Sequence, residues 1–386
     1  MPRTYEGTHP WITFGLDTTR FNHRLWMALG EAASKCEHIA GVPLDPATAE
    51  HMHRLYLAKG AAATTAIEGN SLSEEEAEKI LSGQLKLPPS QQYLADEIDN
   101  IVAACNHIQT RIQQLGPDHI TPEFLLELNG KVLHKLTLDP DVKPGEIRVH
   151  RVSVGKYRCA PPEDCDFLLR KLCDVLNEFP SPEDSKTQFC IIKAIFAHLY
   201  LVWIHPFGDG NGRTARLLEF YILLAGGFPS PAGHLLSNYY NRTRSDYYKN
   251  LNEAIDIPDG IIQFIQYSVQ GLTEGLKEQL AFIRAQQWDV AWINYVHSKF
   301  HDKESAAEIR RKHVVLELSR QINPTPVGKI PVLSAELGAL YYGKTPKTVI
   351  RDVNALIAMG MIKRQKGSVI ADREAILAFL PWRSLG

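Results

Sequence analysis

The sequence predicts an all-α protein, a helical bundle with one short β-hairpin, followed by a small α+β module. Three observations support this prediction. Apolar residues recur at helical spacing through most of the 386 residues. A strand-like alternation is confined to one short segment, residues 147–154. From residue 323 onward, a helix-turn-helix pattern leads into a basic two-stranded pattern.

Composition sets the broad class. The apolar and charged fractions, 44% and 22%, are ordinary for a globular protein, and the length suggests two or three domains. The six cysteines form no C-x2-C pair and are predicted to be buried free thiols in a reducing, cytoplasmic setting. The start of the chain does not resemble a signal peptide, and no uncharged apolar stretch reaches about 18 residues, so we expect no membrane segment.

Helical periodicity divides the first 286 residues into ten amphipathic or apolar segments. The predicted helices are Phe21–Ile39, Ala47–Ile67, Glu74–Ser82, Tyr93–Leu115, Pro122–Lys135, Phe167–Asn177, Thr187–Ile204, Arg213–Ala225, Arg244–Ile255 and Ile261–Gln286. Further helical pattern continues from Trp288 to Arg320. Residues 147–154 alternate and then meet Gly155 and the Pro161-Pro162 stop, which predicts the short hairpin.

The C-terminal segment has the element order of a winged helix. A short helix, Leu333–Leu340, and a second helix, about Pro346–Met359, precede a hairpin over residues 361–370. Residues 301–386 carry 14 Lys and Arg against 8 Asp and Glu, or +6, whereas the remainder of the chain carries −8. This surplus fits DNA contact, but winged helices also serve as protein docking or dimer surfaces, so both partners stay open.

We therefore predict four regions. Residues 1–110 form an N-terminal helical region, and residues 111–287 form the catalytic core. Residues 288–322 form a helical linker, and residues 323–386 form the winged helix.

The residues with catalytic potential lie in HPFGDGNGR, residues 205–213. The apolar segment Gln188–Trp203 predicts a buried helix, and Pro206 ends it by excluding His205 from the helical region. The glycines at 208, 210 and 212 allow a tight turn with exposed amides that leads into the next helix. Such a turn is an anion site, because unpaired N–H donors and the positive end of the helix dipole point to one place.

Three charged residues around this turn suggest a polyphosphate. Arg213 and Arg216 lie in the first helical turn, where cations oppose the dipole and cost about 0.3–1 kcal/mol each unless an anion binds. Asp209 would repel phosphate unless Mg²⁺ lies between them. Taken singly, His205 fits a structural cap, Asp209 a turn residue, and Arg216 a partner of Glu219. Together they match the requirements of phosphoryl or nucleotidyl transfer.

The loop resembles the signature of the Fic family, H-x-F-x-D/E-G-N-G/K-R, at every specified position. Most Fic proteins transfer AMP from ATP to Ser, Thr or Tyr of a protein. The resemblance makes His205 the general base, Phe207 the anchor of the loop and Asp209 the Mg²⁺ ligand. It assigns ATP contacts to Gly208, Gly210, Asn211, Gly212, Arg213 and Arg216. The amides of residues 210–212 would form the anion hole, and Asn211 would steady the α-phosphate.

The resemblance extends beyond the loop. Residues 144–148, Pro-Gly-Glu-Ile-Arg, with the hairpin after them, resemble the family's flap, which aligns a target segment by strand addition. Nucleoside contacts would fall on four residues after the signature helix, with a core position as the alternative for at least one tyrosine. These residues are Arg242, Tyr247, Tyr248 and Asn250.

Glu68 lies where a predicted helix ends, which is the unfavourable end of the dipole for a carboxylate. The next helix opens at Ser73 with a capping box to Glu76. Glu68 is either a solvated corner residue or is held by a cation. Together with Thr64 it resembles the Fic inhibitory motif S/T-x-x-x-E-G/N, whose glutamate binds the second signature arginine, here Arg216. Its place before the signature implies a class II member of the family.

The sequence thus predicts a protein adenylyltransferase that uses ATP and Mg²⁺ and that is inhibited by Glu68. Two alternatives stay open: a DNA-binding transcription regulator with a nucleotide-sensing core, and an enzyme that removes AMP with Glu68 as base. The expected partner is a target protein with an exposed hydroxyl. Self-modification and a homodimer are further expectations.

Overall fold

The computed structural model describes residues 3–117, 119–155, 157–257 and 259–377. The chain divides into two compact units, residues 1–281 and 282–386. The long helix Gly260–Lys299 contains the division between them.

The first unit is helical, as predicted. Its helices are α1 Thr4–Thr8, α2 His23–Gly41, α3 Pro46–Ile67, α4 Glu74–Leu81, α5 Gln92–Leu115, α6 Pro122–Val132, α7 Pro162–Asn177, α8 Lys186–Ile204, α9 Asn211–Ala225, α10 Ser230–Gly233, α11 Leu235–Arg242, α12 Arg244–Asp256 and the first part of α13 Gly260–Lys299. Helices α1, α10 and α11 were not predicted. The α10–α11 segment, SPAGHLLSNYYNR, is short and contains Gly and Pro near its start, so its periodicity is weak.

Local sequence signals set where several helices begin. The side chains of Asn22, Asp45 and Thr121 each accept a hydrogen bond from a first-turn amide of α2, α3 and α6, respectively. The predicted capping box of α4 is present, since Ser73 and Glu76 exchange hydrogen bonds with each other's backbone. Helix starts are therefore well specified by sequence in this unit.

Helices α8 and α9 form the centre of the bundle, with α3, α5, α6 and α7 packed around them. Nearly every side chain from Ile191 to Ile204 and from Asn211 to Leu223 is buried. Residues 183–204 are long and apolar enough to cross a membrane, but two thirds of that window is buried inside the unit, which is typical of a core helix. The signature loop lies between these two central helices, so its ends are held by the core.

The predicted strand over residues 147–154 is mostly wrong. The hairpin is only β1 Ser153–Val154 paired with β2 Tyr157–Arg158. Ile147 instead forms an isolated antiparallel bridge with Phe207 of the signature loop. Arg148 is 4% exposed, because its guanidinium turns inward to three backbone carbonyls, so the alternation seen in the sequence is not that of a free strand.

The second unit contains the rest of α13, then α14 Ala306–Ser319, α15 Ala335–Tyr341 and α16 Pro346–Ala358. Strands β3 Thr325–Pro326, β4 Ile362–Gln365 and β5 Ser368–Ala371 form a sheet in the order β3-β5-β4. The helix, turn, helix and hairpin of the sequence prediction are all present. One core joins Trp292, Val296 and Val314 to Leu337, Val353 and Val369, among other residues. The end of α13 and helix α14 therefore share a core with the elements after residue 323.

Candidate active site

The turn after α8 presents His205 at the edge of the core. His205 adopts a left-handed conformation, φ 52° and ψ 58°, and its amide donates to the Leu201 carbonyl at 2.9 Å. Pro206 enforces the exit from the helix, as predicted. The backbone amide of Arg148 donates to the Pro206 carbonyl at 2.9 Å. The end of α8 and the segment before the hairpin thus both fix the position of His205.

The His205 imidazole is neutral at neutral pH. Its pKa is lowered to about 4, chiefly by burial and also by the Arg148 charge, against the opposing effects of the Val202 carbonyl, Glu68 and Asp209. Nδ1 lies 3.3 Å from the Val202 carbonyl oxygen. In the tautomer that carries its proton on Nδ1, Nε2 has a free lone pair, which is the state that a general base requires.

Asn211 and Phe207 close the loop on itself. The Phe207 amide donates to Asn211 Oδ1, and Asn211 Nδ2 donates to the Phe207 carbonyl, both at 2.9 Å. Phe207 is 0% exposed, in line with its predicted role as anchor. Asn211 is buried, and its side-chain amide binds the loop backbone. The contacts of this side chain therefore stabilise the loop.

The start of α9 has the geometry of an anion site. Gly210 is the residue before the helix, in a left-handed conformation with φ 75° that favours glycine. The amides of residues 211–213 have no acceptor among the described residues, as expected for the first turn of a helix. These donors and the helix dipole favour a bound phosphate or carboxylate.

Asp209 fits the predicted role of Mg²⁺ ligand. Its side chain is 50% exposed, and Oδ1 accepts from the Gly210 amide and from Arg213 Nη2 at 3.3 Å. Among the residues that the structure describes, no group of three or more His, Cys, Asp or Glu side chains is arranged to hold a metal ion. Mg²⁺ commonly takes one or two carboxylates and completes its shell with phosphate oxygens and water, so a single exposed carboxylate beside an anion site suits it.

Arg213 is held by two carboxylates. Nη1 donates to Glu97 Oε1 at 3.1 Å, and Nη2 contacts Asp209. Its side chain is only 6% exposed, and its buried Nε has no hydrogen-bond partner in the described structure. The other oxygen of Glu97 accepts from Asn70 Nδ2 at 2.8 Å. Glu97 thus links the first signature arginine to the turn after α3, a connection that no sequence motif indicated.

Arg216 binds the end of α3. Nη2 donates to Glu68 Oε1 at 2.6 Å and to the Thr64 carbonyl at 3.0 Å, and Nε donates to Thr64 Oγ1 at 2.5 Å. The Arg216 side chain is 2% exposed and that of Glu68 33%. Glu68 Oε1 also lies against Gly212, where a Cβ would approach it to 2.3 Å. The carboxylate therefore lies at the start of α9, on the anion site itself.

Glu68 is ionised at neutral pH. Burial raises its pKa, but the charge and hydrogen bond of Arg216, aided by Arg213, more than offset this and leave the pKa below its ordinary value. The ion pair is thus present at neutral pH and is lost only as pH falls through that lowered pKa. Both residues occupy the unfavourable end of their own helix dipole, and each provides the charge that the other helix end favours.

The alternative partner of Arg216, Glu219, has a different role. Burial raises the Glu219 pKa to about 8, so this carboxyl group is mostly protonated at neutral pH. It accepts a hydrogen bond from Tyr240 at 3.0 Å, and Tyr240 also contacts Ser268. Arg216 therefore has Glu68 as its ion-pair partner.

Two buried polar residues hold the loop, a role that the sequence did not indicate for either of them. Arg148 donates to the carbonyls of His205 and His150, both at 2.7 Å, and to that of Ala160 at 2.5 Å. Asn129, 0% exposed, donates to the Asp209 carbonyl at 2.9 Å and accepts from the Gly145 amide at 3.0 Å. Both residues connect the signature loop to the segment that leads into the hairpin.

The four predicted nucleoside contacts have separate environments. Tyr247 is a core residue, 2% exposed, with its hydroxyl 3.0 Å from His198 Nε2. Arg242 forms ion pairs at 3.1 Å with Glu274 and Glu278. Tyr248 is 39% exposed and donates to the carbonyl of Ile67, and Asn250 donates to a carbonyl of its own helix. Their nucleoside roles stay predictions.

Comparison with known proteins identifies the segment that contains this site. Residues 119–223, which include the signature loop, match the model of the Fic/DOC family. This segment is a Fic/DOC domain. The predicted Fic resemblance is therefore confirmed for this segment, together with the Fic fold of the helical bundle. The class II assignment and the winged helix stay predictions.

Relatives of this Fic domain include enzymes named for AMP transfer. The chain is 31% identical over 242 residues to protein adenylyltransferase fic-1 of Caenorhabditis elegans, covering 63% of this chain and 44% of that protein. It is 31% identical over 192 residues to protein adenylyltransferase Fic of Nematostella vectensis, covering 50% of this chain and 42% of that protein. The chain thus spans less than half the length of these relatives.

Solved structures give the same fold. The structure of Fic-1 from C. elegans matches with a TM-score of 0.55 and 26% identity, covering 68% of this chain and 73% of that one. A Fic family protein from Desulfovibrio desulfuricans G20 matches with a TM-score of 0.57 over 90% of this chain and 92% of its own. Its identity is 17%, so this second match concerns the fold alone.

Proposed function

We propose that this protein transfers AMP from ATP to a hydroxyl of a target protein. The observation that carries the proposal is the convergence at the start of α9 of a neutral histidine, unpaired amides, an exposed carboxylate and two arginines. These groups suit a reaction in which an oxygen nucleophile attacks a phosphorus atom. The names of the relatives, protein adenylyltransferases, support the same reaction.

In the proposed reaction, His205 Nε2 accepts the proton of the target hydroxyl as its oxygen attacks the α-phosphorus of ATP. The bond between the α-phosphorus and the bridging oxygen breaks, and pyrophosphate leaves. The amides of residues 211–213 stabilise the charge on the α-phosphate, and Arg213 and Arg216 bind the β- and γ-phosphates. Mg²⁺, when bound at Asp209, supplies positive charge to the phosphates.

We further propose that Glu68 inhibits this reaction. Its carboxylate occupies Arg216 at 2.6 Å and lies against Gly212, so it competes with phosphate for the same cation and the same helix start. ATP that binds beside Glu68 lacks its γ-phosphate partner, and its α-phosphate is then misaligned for attack. Displacement of Glu68 would restore the productive position.

The test uses ATP labelled at either the α- or the γ-phosphate, with the Glu68→Gly variant and a cell lysate as acceptor. AMP transfer predicts protein-bound label from α-labelled ATP and none from γ-labelled ATP. A protein that bears the additional change His205→Ala should bind ATP but label on the order of 10²–10⁴-fold more slowly. Label from the γ position, or equal labelling without His205, would refute the proposal.

Removal of AMP from a modified protein is the alternative that uses the same residues. In that reaction Glu68 would activate the attacking water, so Glu68→Gly would abolish it. Incubating AMP-modified lysate protein with wild-type protein and with Glu68→Gly measures this directly. Release by wild type alone would favour the reverse reaction.

A specific surface of the second unit favours DNA as an additional partner. Helix α16 exposes Lys347, Ile350, Arg351 and Asn354 on one face, and its single acidic residue, Asp352, is 0% exposed and bound by Arg310 and Arg311. Lys344 precedes this helix, and Lys366 lies in the hairpin turn; both are exposed. In helix-turn-helix proteins the second helix enters the major groove, where such a face meets phosphates and base edges.

The DNA proposal is tested by fluorescence polarisation with labelled duplex DNA at several salt concentrations. Wild type should bind with an affinity that falls steeply with salt. The double change Lys347→Glu and Arg351→Glu should abolish binding. A control with the same change of charge, Lys303→Glu and Lys329→Glu, alters exposed lysines outside α16 and should bind normally. Equal loss in both double variants would mean that only net charge matters.

Three further expectations belong to the proposal. Self-modification and a homodimer are measured by intact mass and by sedimentation of the purified protein. A cytoplasmic location is supported by the cysteines, because all six thiols are free and five are buried. Cell fractionation tests it.

A further inference from the structure

The last turn of α3 is held by two side chains of α12. The carbonyl oxygen of Ile67, the final residue of α3, accepts hydrogen bonds from Arg244 Nη2 and from the Tyr248 hydroxyl, the latter at 3.1 Å. Arg244 and Tyr248 are four residues apart on α12, so they lie on one face of that helix. A carbonyl at this position has no partner within its own helix, so these donors satisfy an otherwise unpaired acceptor.

The charge of Arg244 also matters. The C-terminal end of a helix carries partial negative charge, which Arg244 offsets and which Glu68 worsens. Glu68 directly follows Ile67, so the position of its backbone depends on where the Ile67 carbonyl is held. Its carboxylate then reaches Arg216 from that fixed point.

On the other side of Glu68 the chain is held again. Asn70 Nδ2 donates to the Leu94 carbonyl at 3.0 Å and to Glu97 at 2.8 Å. Between these two anchors, Gly69 has φ 109°, a backbone conformation that favours glycine. The segment that carries Glu68 is thus a short bend fixed at Ile67 and at Asn70.

We propose that Arg244 and Tyr248 are positioning residues for the inhibitory Glu68 carboxylate, which is called the brake below. By binding the Ile67 carbonyl they keep Glu68 on Arg216. This inference rests on the proposed function, in which Glu68 inhibits AMP transfer. Loss of the Arg244 contact frees the last turn of α3 and shifts the protein towards states in which Glu68 has left the anion site. Arg244 itself is exposed, so its replacement does not disturb the core.

The experiment compares initial rates of AMP transfer in two backgrounds. In the wild-type background, Arg244→Gln should raise the rate about three- to tenfold, the range expected for a charged hydrogen bond at a helix end. In the Glu68→Gly background the same change should have no effect, because the carboxylate that Arg244 positions is gone. Arg244→Lys, which keeps the charge, should retain much of the inhibition. The control Lys249→Gln removes an exposed cation of the same helix, paired with Glu253, and should change neither rate.

A second measurement follows the bend without relying on activity. The amides of Glu68, Gly69 and Asn70 donate to carbonyls of Thr65 or Ala66 at 3.0–3.1 Å, so we expect them to be protected from hydrogen exchange in the resting protein. Arg244→Gln should speed their exchange, and Tyr248→Phe should do so to a smaller degree, whereas Lys249→Gln should not.

The outcomes separate the two proposals. Unchanged exchange at residues 68–70 in Arg244→Gln overturns the positioning role, whatever the activity. Faster exchange with an equal rate increase in both backgrounds also overturns it, because Arg244 then acts on something other than Glu68. Faster exchange in Arg244→Gln with an unchanged rate of AMP transfer, while Glu68→Gly is active, also overturns the positioning role. If Glu68→Gly transfers no AMP at all, the proposed function fails, and the exchange data alone decide whether Arg244 holds the bend.

Discussion

Replacing Arg148 should separate the position of His205 from its electrostatics. Arg148 is 4% exposed, and its guanidinium donates to the carbonyls of His205, His150 and Ala160. Arg148→Met keeps most of the side-chain volume but removes both the donors and the charge. Arg148→Lys keeps the charge but cannot reach three carbonyls at once.

The magnitude follows from these contacts. The Ala160 carbonyl is buried and the other two are part-buried. A buried carbonyl that loses its donor costs about 1–3 kcal/mol, so Arg148→Met should lose at least about 1–3 kcal/mol of stability. One of the three carbonyls belongs to His205, and a displacement of about 1 Å at a reacting group costs on the order of 10²-fold in rate. We therefore expect a hundredfold slower transfer from a protein that is folded but melts at a lower temperature.

The pH profile provides the more specific test. Transfer by wild type should be independent of His205 protonation at neutral pH and should fall only as pH drops through about 4, where His205 gains a proton. Arg148 lowers the His205 pKa, whereas Glu68 and Asp209 raise it. Removing the Arg148 charge therefore moves the acid limb to higher pH, and Arg148→Lys leaves it near the wild-type position.

The assay is the initial rate of label transfer from α-labelled ATP, measured across the pH range at a temperature where each variant is folded. All variants carry Glu68→Gly, so that inhibition by Glu68 does not affect the measured rates. Arg170→Met, which removes an exposed arginine paired with Asp166, is the control and should match the parent. A rate in Arg148→Met equal to that of the Glu68→Gly parent, or an acid limb that does not move, would refute this reasoning.

Three further predictions concern the brake, the first arginine and the second unit. Glu68→Gly should raise self-labelling about tenfold, since a coupling of about 1.4 kcal/mol is a factor of ten. Arg216→Ala removes the partner of Glu68 and the phosphate ligand together, so its labelling should stay low. Equal labelling in wild type and Glu68→Gly would show that Glu68 does not inhibit the reaction. In the Glu68→Gly background, Glu97→Gln should raise the KM for ATP several-fold with a smaller change in kcat. The reason is that Arg213 loses the charged partner at 3.1 Å that orients it, and an unchanged KM would count against this role. Removing residues 282–386 should leave self-labelling intact, and loss of activity from a soluble, folded truncation would show that the units are not independent.

Much of the bundle could be predicted because its signals are local. Helix α3 was predicted to end at Ile67 and α8 at Ile204, and both do. A buried helix with a proline after its last turn, or a capping box such as that of Ser73, leaves a pattern within a few residues. Local reasoning indicated only that Glu68 and Arg216 are each electrostatically unfavourable in their own helices, whereas the resemblance to the Fic inhibitory motif named them as partners; the structure shows this contact.

The failures involve contacts between segments that are distant in sequence. Residues 147–154 alternate like a strand, but Ile147 pairs with Phe207 and Arg148 binds carbonyls up to 57 residues away, which periodicity does not reveal. Glu97 resembles any polar residue of an amphipathic helix until α5 is placed beside Arg213. The contact of Arg244 likewise leaves no pattern in the sequence, because its partner is a backbone carbonyl.

The central claim is that this protein attaches AMP, and that His205 is the base. Intact mass of Glu68→Gly after incubation with Mg²⁺ and ATP, alone and with lysate protein as acceptor, tests it most directly. The account predicts a gain equal to one AMP residue on the protein itself or on an acceptor, and no gain when His205→Ala is added. No adduct on any protein, a gain equal to one phosphate, or the same AMP adduct without His205 would contradict it.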